Sequence, residues 1–190
     1  MFHKKFVRKI ILFPASSDAN FIFTSFIIYM IYSKRLQQYI PVQITSESCD
    51  LKEFGRFTKY SVKDGKMPVG YIDLLDTPKG VEVQYITNQY PQFYSNFGNL
   101  ADQIEVEHCL KRGMDTFEIR SDASLNSHAK HYLRGKRFLI EKYNEIVQKI
   151  IESTPKGEHF NTKSLGRIKM YMPKEMIDKI LCNIKKHPLL

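Results

Sequence analysis

Cysteine is scarce: Cys49, Cys109 and Cys182 are the three thiols, they form no CxxC pair, and their odd number leaves one unmatched. That pattern excludes a zinc-ribbon site and a disulfide framework, and a reducing cytoplasm is the expected setting. His128 and His131 stand three apart, but no third ligand at metal spacing accompanies them, so no metal is expected. No apolar run reaches the ~20 residues of a membrane-spanning helix, and no repeat or low-complexity tract interrupts the chain. Acidic residues are outnumbered, 20 Asp and Glu against 29 Lys and Arg, for a formal charge of +9. Such an excess suits nucleic acid, anionic lipid or a polyanionic cofactor. No nucleic-acid motif accompanies it, so no specific nucleic acid is expected.

At 190 residues and 43% hydrophobic content, the chain can bury a single core. Residues 1–38 stand apart as an apolar and basic extension or helix, followed by one domain over 39–190. In the extension, Lys4, Lys5, Arg8 and Lys9 precede an apolar run from Phe21 to Tyr32 with no small-residue cleavage site after it. The run reads as a packed helix or as an extension upstream of a true start at Met30. Weak peripheral membrane contact, a cleaved or inserted segment and burial against a second copy in a homodimer stay open.

Short alternating segments at Tyr39–Ile44, Phe57–Val62, Val69–Leu75 and Val81–Ile86 predict strands, with turns at Lys63–Lys66 and Thr77–Gly80. This is an antiparallel meander. The second half alternates: a helix from Gly98 to Arg112, a strand from Thr116 to Arg120, a short helix over Asn126–Leu133, and an amphipathic helix over Phe138–Glu152. A strand at Arg167–Met172 and a final helix after Pro173 follow. The sum is an α/β (α+β) chain, with a mixed, mostly antiparallel central sheet flanked by helices.

Two stretches carry chemistry. Gln92-Phe93-Tyr94-Ser95-Asn96-Phe97-Gly98-Asn99 lies between a strand and a helix, where free backbone amides and the helix dipole suit a phosphate group. Asn96 tolerates the positive φ that such a turn requires. Further on, Asn126, Ala129 and Tyr132 repeat at three-residue intervals after a strand. Together, from about Val69 to Met172, this order resembles the GNAT superfamily of acyl-CoA N-acyltransferases. The loop departs from the family's pattern, with Asn96 where a Gly is usual and Phe93 where a basic residue is usual.

The resemblance implies a GNAT-like fold and an enzyme, an N-acetyltransferase that moves the acetyl group of acetyl-CoA to an amine acceptor by direct attack. It implies cofactor contacts from Tyr85, Ile86 and Thr87 on the strand, from Asn96, Phe97, Gly98 and Asn99 at the phosphates, and from Asn126 at the pantetheine arm. Tyr132 is implied as the acid that protonates the departing thiolate. For the base, Glu82 comes first, with Asp73 and Glu118 behind it. Lys130, Arg134, Lys136 and Arg137 read as a solvated face or as contacts to the acidic end of the cofactor. Cys109 reads as a packed thiol. Two other classes stay open: a catalytically degenerate GNAT-fold binding protein, and a nucleic-acid-binding protein using the aromatics of Tyr90–Tyr94.

Overall fold

The computed structural model of the chain describes residues 29–53, 55–78, 80–113, 118–121 and 127–186. It is a mixed α+β fold built on one nine-stranded, mostly antiparallel sheet with helices packed against it. The strands are β1 (Tyr29–Ser33), β2 (Gln38–Leu51), β3 (Gly55–Asp64), β4 (Met67–Thr77), β5 (Gly80–Asn88), β6 (Tyr94–Ser95), β7 (Glu118–Ser121), β8 (Arg137–Phe138) and β9 (Ile168–Tyr171). The helices are α1 (Phe97–Lys111), α2 (Ser127–Leu133), α3 (Glu141–Ser153) and α4 (Lys174–Lys186), with a 3-10 turn at Lys163–Leu165. Sheet order is β6-β1-β2-β3-β4-β5-β7-β9-β8, and among the described residues only β5 and β7 pair in parallel.

The meander β2–β5 forms as its alternation predicts, and Gly65 turns β3 into β4 with φ 58°. Alternation assigns its two faces. Val62, Ile72, Leu74, Val81 and Val83 point toward α1 and form the core with Leu100, Ala101 and Ile104. Gly70 sits where β4 meets both β5 and α1. A Cβ there would stand 2.1 Å from the Thr87 carbonyl oxygen and 2.7 Å from the Phe97 ring.

Three expectations are corrected. The end of the apolar run is strand, not helix: β1 pairs with β2 from Tyr29↔Val42 to Ser33↔Gln38, so the sheet already includes residues N-terminal to the boundary expected at 38. Residues 1–28 lie outside those described. The phosphate-loop stretch contains β6, which joins β1 at Tyr32↔Ser95 and Ser33↔Tyr94. Finally, α3 starts at Glu141. Phe138 is 1% exposed and extended because Asn144 brackets its backbone, accepting from its amide at 2.8 Å and donating to its carbonyl at 3.1 Å. Leu139, inside the amphipathic helix expected from Phe138, precedes α3 and is 61% exposed.

Candidate functional site

The middle of β5 carries a β-bulge. Asp73 faces Tyr85 while the next residue, Leu74, faces Val83, so Gln84 is an extra residue that bends the strand. On its other edge β5 meets β7 at Val83↔Ile119, and the ladder includes no further pair among the described residues. Tyr85, Ile86 and Thr87 follow the bulge toward the end of β5. The bulge also sets side-chain direction. Strict alternation would separate Glu82 from Tyr85, but the extra residue brings Glu82, Tyr85 and Asp73 to one face, the one opposite α1.

After β5 the chain is turned by Asn88. Its side chain donates to the Tyr94 carbonyl at 3.0 Å and accepts from the Tyr90 amide at 3.1 Å. The loop is tied to the β1–β2 turn, where the Lys34 amide donates to Phe93 and its ammonium to Pro91. Asn96 then adopts the left-handed conformation, φ 64° and ψ 15°, and its carbonyl accepts from the Asn99 and Leu100 amides. The Phe97 and Gly98 amides belong to the first turn, where no intrahelical acceptor exists. Phe97 buries its ring in the core, and the Asn96 amide group donates to the Tyr39 hydroxyl at 2.7 Å.

The Arg134 guanidinium covers Gly98. A Cβ on Gly98 would stand 2.7 Å from Nη1. Arg134 is held by Asp102, with Nε 2.7 Å from Oδ2, and by Nη2 donating to His131 Nδ1 at 2.8 Å. Burial first, then the charges of Lys136 and Arg134, push the His131 pKa well below its ordinary value, so the ring is neutral and accepts. Lys136, fully buried, lies 2.8 Å from Asp102 and 2.6 Å from Glu105. Of the four clustered cations, Lys130 alone is an exposed side chain. Arg137 instead stacks its guanidinium 4.3 Å from the Tyr132 ring centroid.

Tyr132 lies on α2 and directs its hydroxyl to Gln148 Oε1 on α3 at 3.3 Å. It is thus engaged at the α2–α3 contact. Asn126 lies outside the described residues. Glu82 is committed to Lys169 at 3.2 Å and to Gln84 at 3.3 Å. Asp73 is 8% exposed and its Oδ1 has no hydrogen-bond partner; burial raises its pKa, opposed by Lys59. Cys109 is buried, and desolvation followed by the Glu105 charge pushes its thiol up, as befits a packed residue.

Sequence reasoning missed a second polar network on the α1 side of the sheet. Tyr60 shares a 2.8 Å hydrogen bond with His108 Nδ1, His108 Nε2 lies 2.6 Å from Asp76, and Arg112 lies 2.9 Å from the same carboxylate. The Tyr29 hydroxyl donates to Glu107 beside it. Desolvation pushes the Tyr60 phenol up to about 12, which makes it a stable donor. The one sequence signal was that Asp102, Glu105, Glu107 and His108 crowd every side of α1, leaving no clean polar face.

Among the described residues no group of three or more His, Cys, Asp or Glu could hold a metal ion, and no helix is long and apolar enough to cross a membrane. No protein-family model matches the chain, and no curated protein matches it.

Proposed function

We propose that this protein is a GNAT-like N-acyltransferase that uses acetyl-CoA to acetylate an amine. The observation that carries the reading is the bulged β5, joined through α1 to a parallel β7 that it meets at Val83↔Ile119. The resemblance implies an extended carrier arm held along a strand, a polarised carbonyl and a place for a pyrophosphate. The stretch Tyr85, Ile86 and Thr87 past the bulge is the place for the arm, which would lie along it as an added strand does. A backbone amide past the bulge suits the carbonyl oxygen. The first turn of α1, with Asn96, Phe97, Gly98 and Asn99, suits the phosphates, and Arg134 supplies a cation beside a loop that carries Phe93 at the usual basic position.

In this reaction the amine nitrogen bonds to the thioester carbon, the carbonyl oxygen takes the charge, and the carbon–sulfur bond then breaks. The amide nitrogen loses its extra proton and the thiolate gains one. Asn126 as the pantetheine contact rests on the resemblance alone. Tyr132 as the acid requires its hydroxyl to exchange Gln148 for the sulfur.

Calorimetric titration with acetyl-CoA tests the reading. Wild type binds in the micromolar range, and Gly98→Glu, which sets a carboxylate in the first turn of α1 against Arg134, does not. Acetyl-CoA binding with no transfer to any amine points instead to the degenerate, non-catalytic protein. Absence of binding by folded wild type refutes both.

A further inference from the structure

Asp73 is a buried carboxylate on the face of the sheet opposite α1, with the Lys59 charge acting on it from β3. It is 8% exposed, Oδ1 lacks a hydrogen-bond partner, and it sits opposite Tyr85, the first residue past the bulge. A buried carboxylate oxygen without a hydrogen-bond partner costs folding energy, and a ligand that donates to Oδ1 offsets that cost. The charged and titratable groups around it are Lys59 opposite it on β3, Glu47 beyond Lys59 on β2, Tyr71 on its own strand, and Tyr85 and Glu82 on β5. Glu82 is taken up by Lys169 of β9. Lys59 places its ammonium 4.5 Å from the Tyr71 ring centroid, so this face already receives one alkylammonium on an aromatic ring beside a carboxylate.

Resting on the acyltransferase reading, we propose that Asp73 is the general base, and that the acceptor is a primary alkylamine whose ammonium docks on Asp73 beside the Tyr71 and Tyr85 rings. The ammonium gives one proton to Oδ1, and the freed lone pair attacks the thioester carbon. On collapse the carbon–sulfur bond breaks, and the second proton lost by nitrogen goes to the sulfur. Asp73 returns its proton to solvent. A carboxylate desolvated by burial holds a proton more readily than an exposed one, and Glu82 is already taken up by Lys169.

The test compares wild type and Asp73→Asn with acetyl-CoA and two acceptors, spermidine and an arylamine that is already neutral at pH 7. For spermidine, Asp73→Asn lowers kcat/KM about 100-fold or more and erases the acidic limb of its pH profile. For the arylamine the loss is under about tenfold, because no ammonium proton has to be removed before attack, whereas a merely structural defect lowers both alike. Acetyl-CoA affinity stays at the wild-type value. Equal loss on both acceptors, or none on spermidine, overturns the role of Asp73 while leaving the acyltransferase reading standing. Failure of wild type to bind acetyl-CoA overturns both. Should acetyl-CoA bind without turnover, the carboxyl carbon resonance of Asp73 decides: it moves on adding spermidine to the CoA complex if the ammonium docks there, and stillness refutes the site.

Discussion

Replacing Glu105 by Gln sets desolvation against ion pairing inside the core. Glu105 is fully buried, Lys136 lies 2.6 Å from one of its oxygens, and the other oxygen has no partner. Burial, the largest influence, raises its pKa from 4.5 to about 7, and the nearby Asp102 charge adds to this while Lys136 opposes it. A shift from 4.5 to about 7 corresponds to about 3 kcal/mol at 1.36 kcal/mol per unit. The sign follows from the raised folded value. Protonated Glu105 contributes its stability in full below about pH 4.5, and that contribution is lost as pH rises through about 7. Gln cannot ionise, so it keeps the neutral state at every pH. Urea unfolding of both proteins at pH 5, 6, 7 and 8 therefore shows the Glu105→Gln variant gaining on wild type by up to about 3 kcal/mol across the series. Taking the difference between two proteins cancels the other titrating groups. A difference that stays flat, or that moves against the variant as pH rises, refutes the reasoning and means that the Lys136 pairing outweighs desolvation.

Other substitutions probe the frame around the site. Gly70→Ala drives a methyl into the Thr87 carbonyl and the Phe97 ring, and costs more than about 4 kcal/mol, seen as loss of soluble protein or of the thermal transition. Asp102→Ala leaves Arg134 without its carboxylate and Lys136 with Glu105 alone, and lowers the unfolding free energy in urea by about 3 kcal/mol. His108→Leu removes the partner shared by Tyr60 and Asp76 and costs about 2 kcal/mol by the same assay. Tyr132→Phe deletes an exposed hydrogen bond and shifts stability by under about 0.5 kcal/mol. If Tyr132 is the acid, kcat falls in this variant while acetyl-CoA affinity holds, and an unchanged kcat removes it from the mechanism.

The sequence by itself determined what depends on neighbours along the chain. Alternation and turn residues specify the β2–β5 meander, periodicity and the break at Arg112-Gly113 bound α1, and the tolerance of Asn96 for positive φ is used as its chemistry allows. What it could not determine depends on residues distant in the chain. β1 and β6 are legible as strands only through their partners, since β1 pairs along its length with β2, β6 joins β1 at Tyr32↔Ser95, and each segment is short or masquerades as something else alone. The start of α3 turns on Asn144 capturing the Phe138 backbone, which competes with a helical pattern that runs straight through it. Only the tertiary structure decided the site. A single extra residue at Gln84 decides which face Glu82 shares, and no local pattern announces that β5 meets β7 at Val83↔Ile119. The buried charges of α1 follow the same logic: Asp102, Glu105 and His108 crowd the helix without a clean polar face, and the partners that pair with them, Arg134, Lys136, Asp76 and Tyr60, arrive from elsewhere in the chain. Register and charge pairing are long-range properties, set when the whole core closes and not by any segment within it.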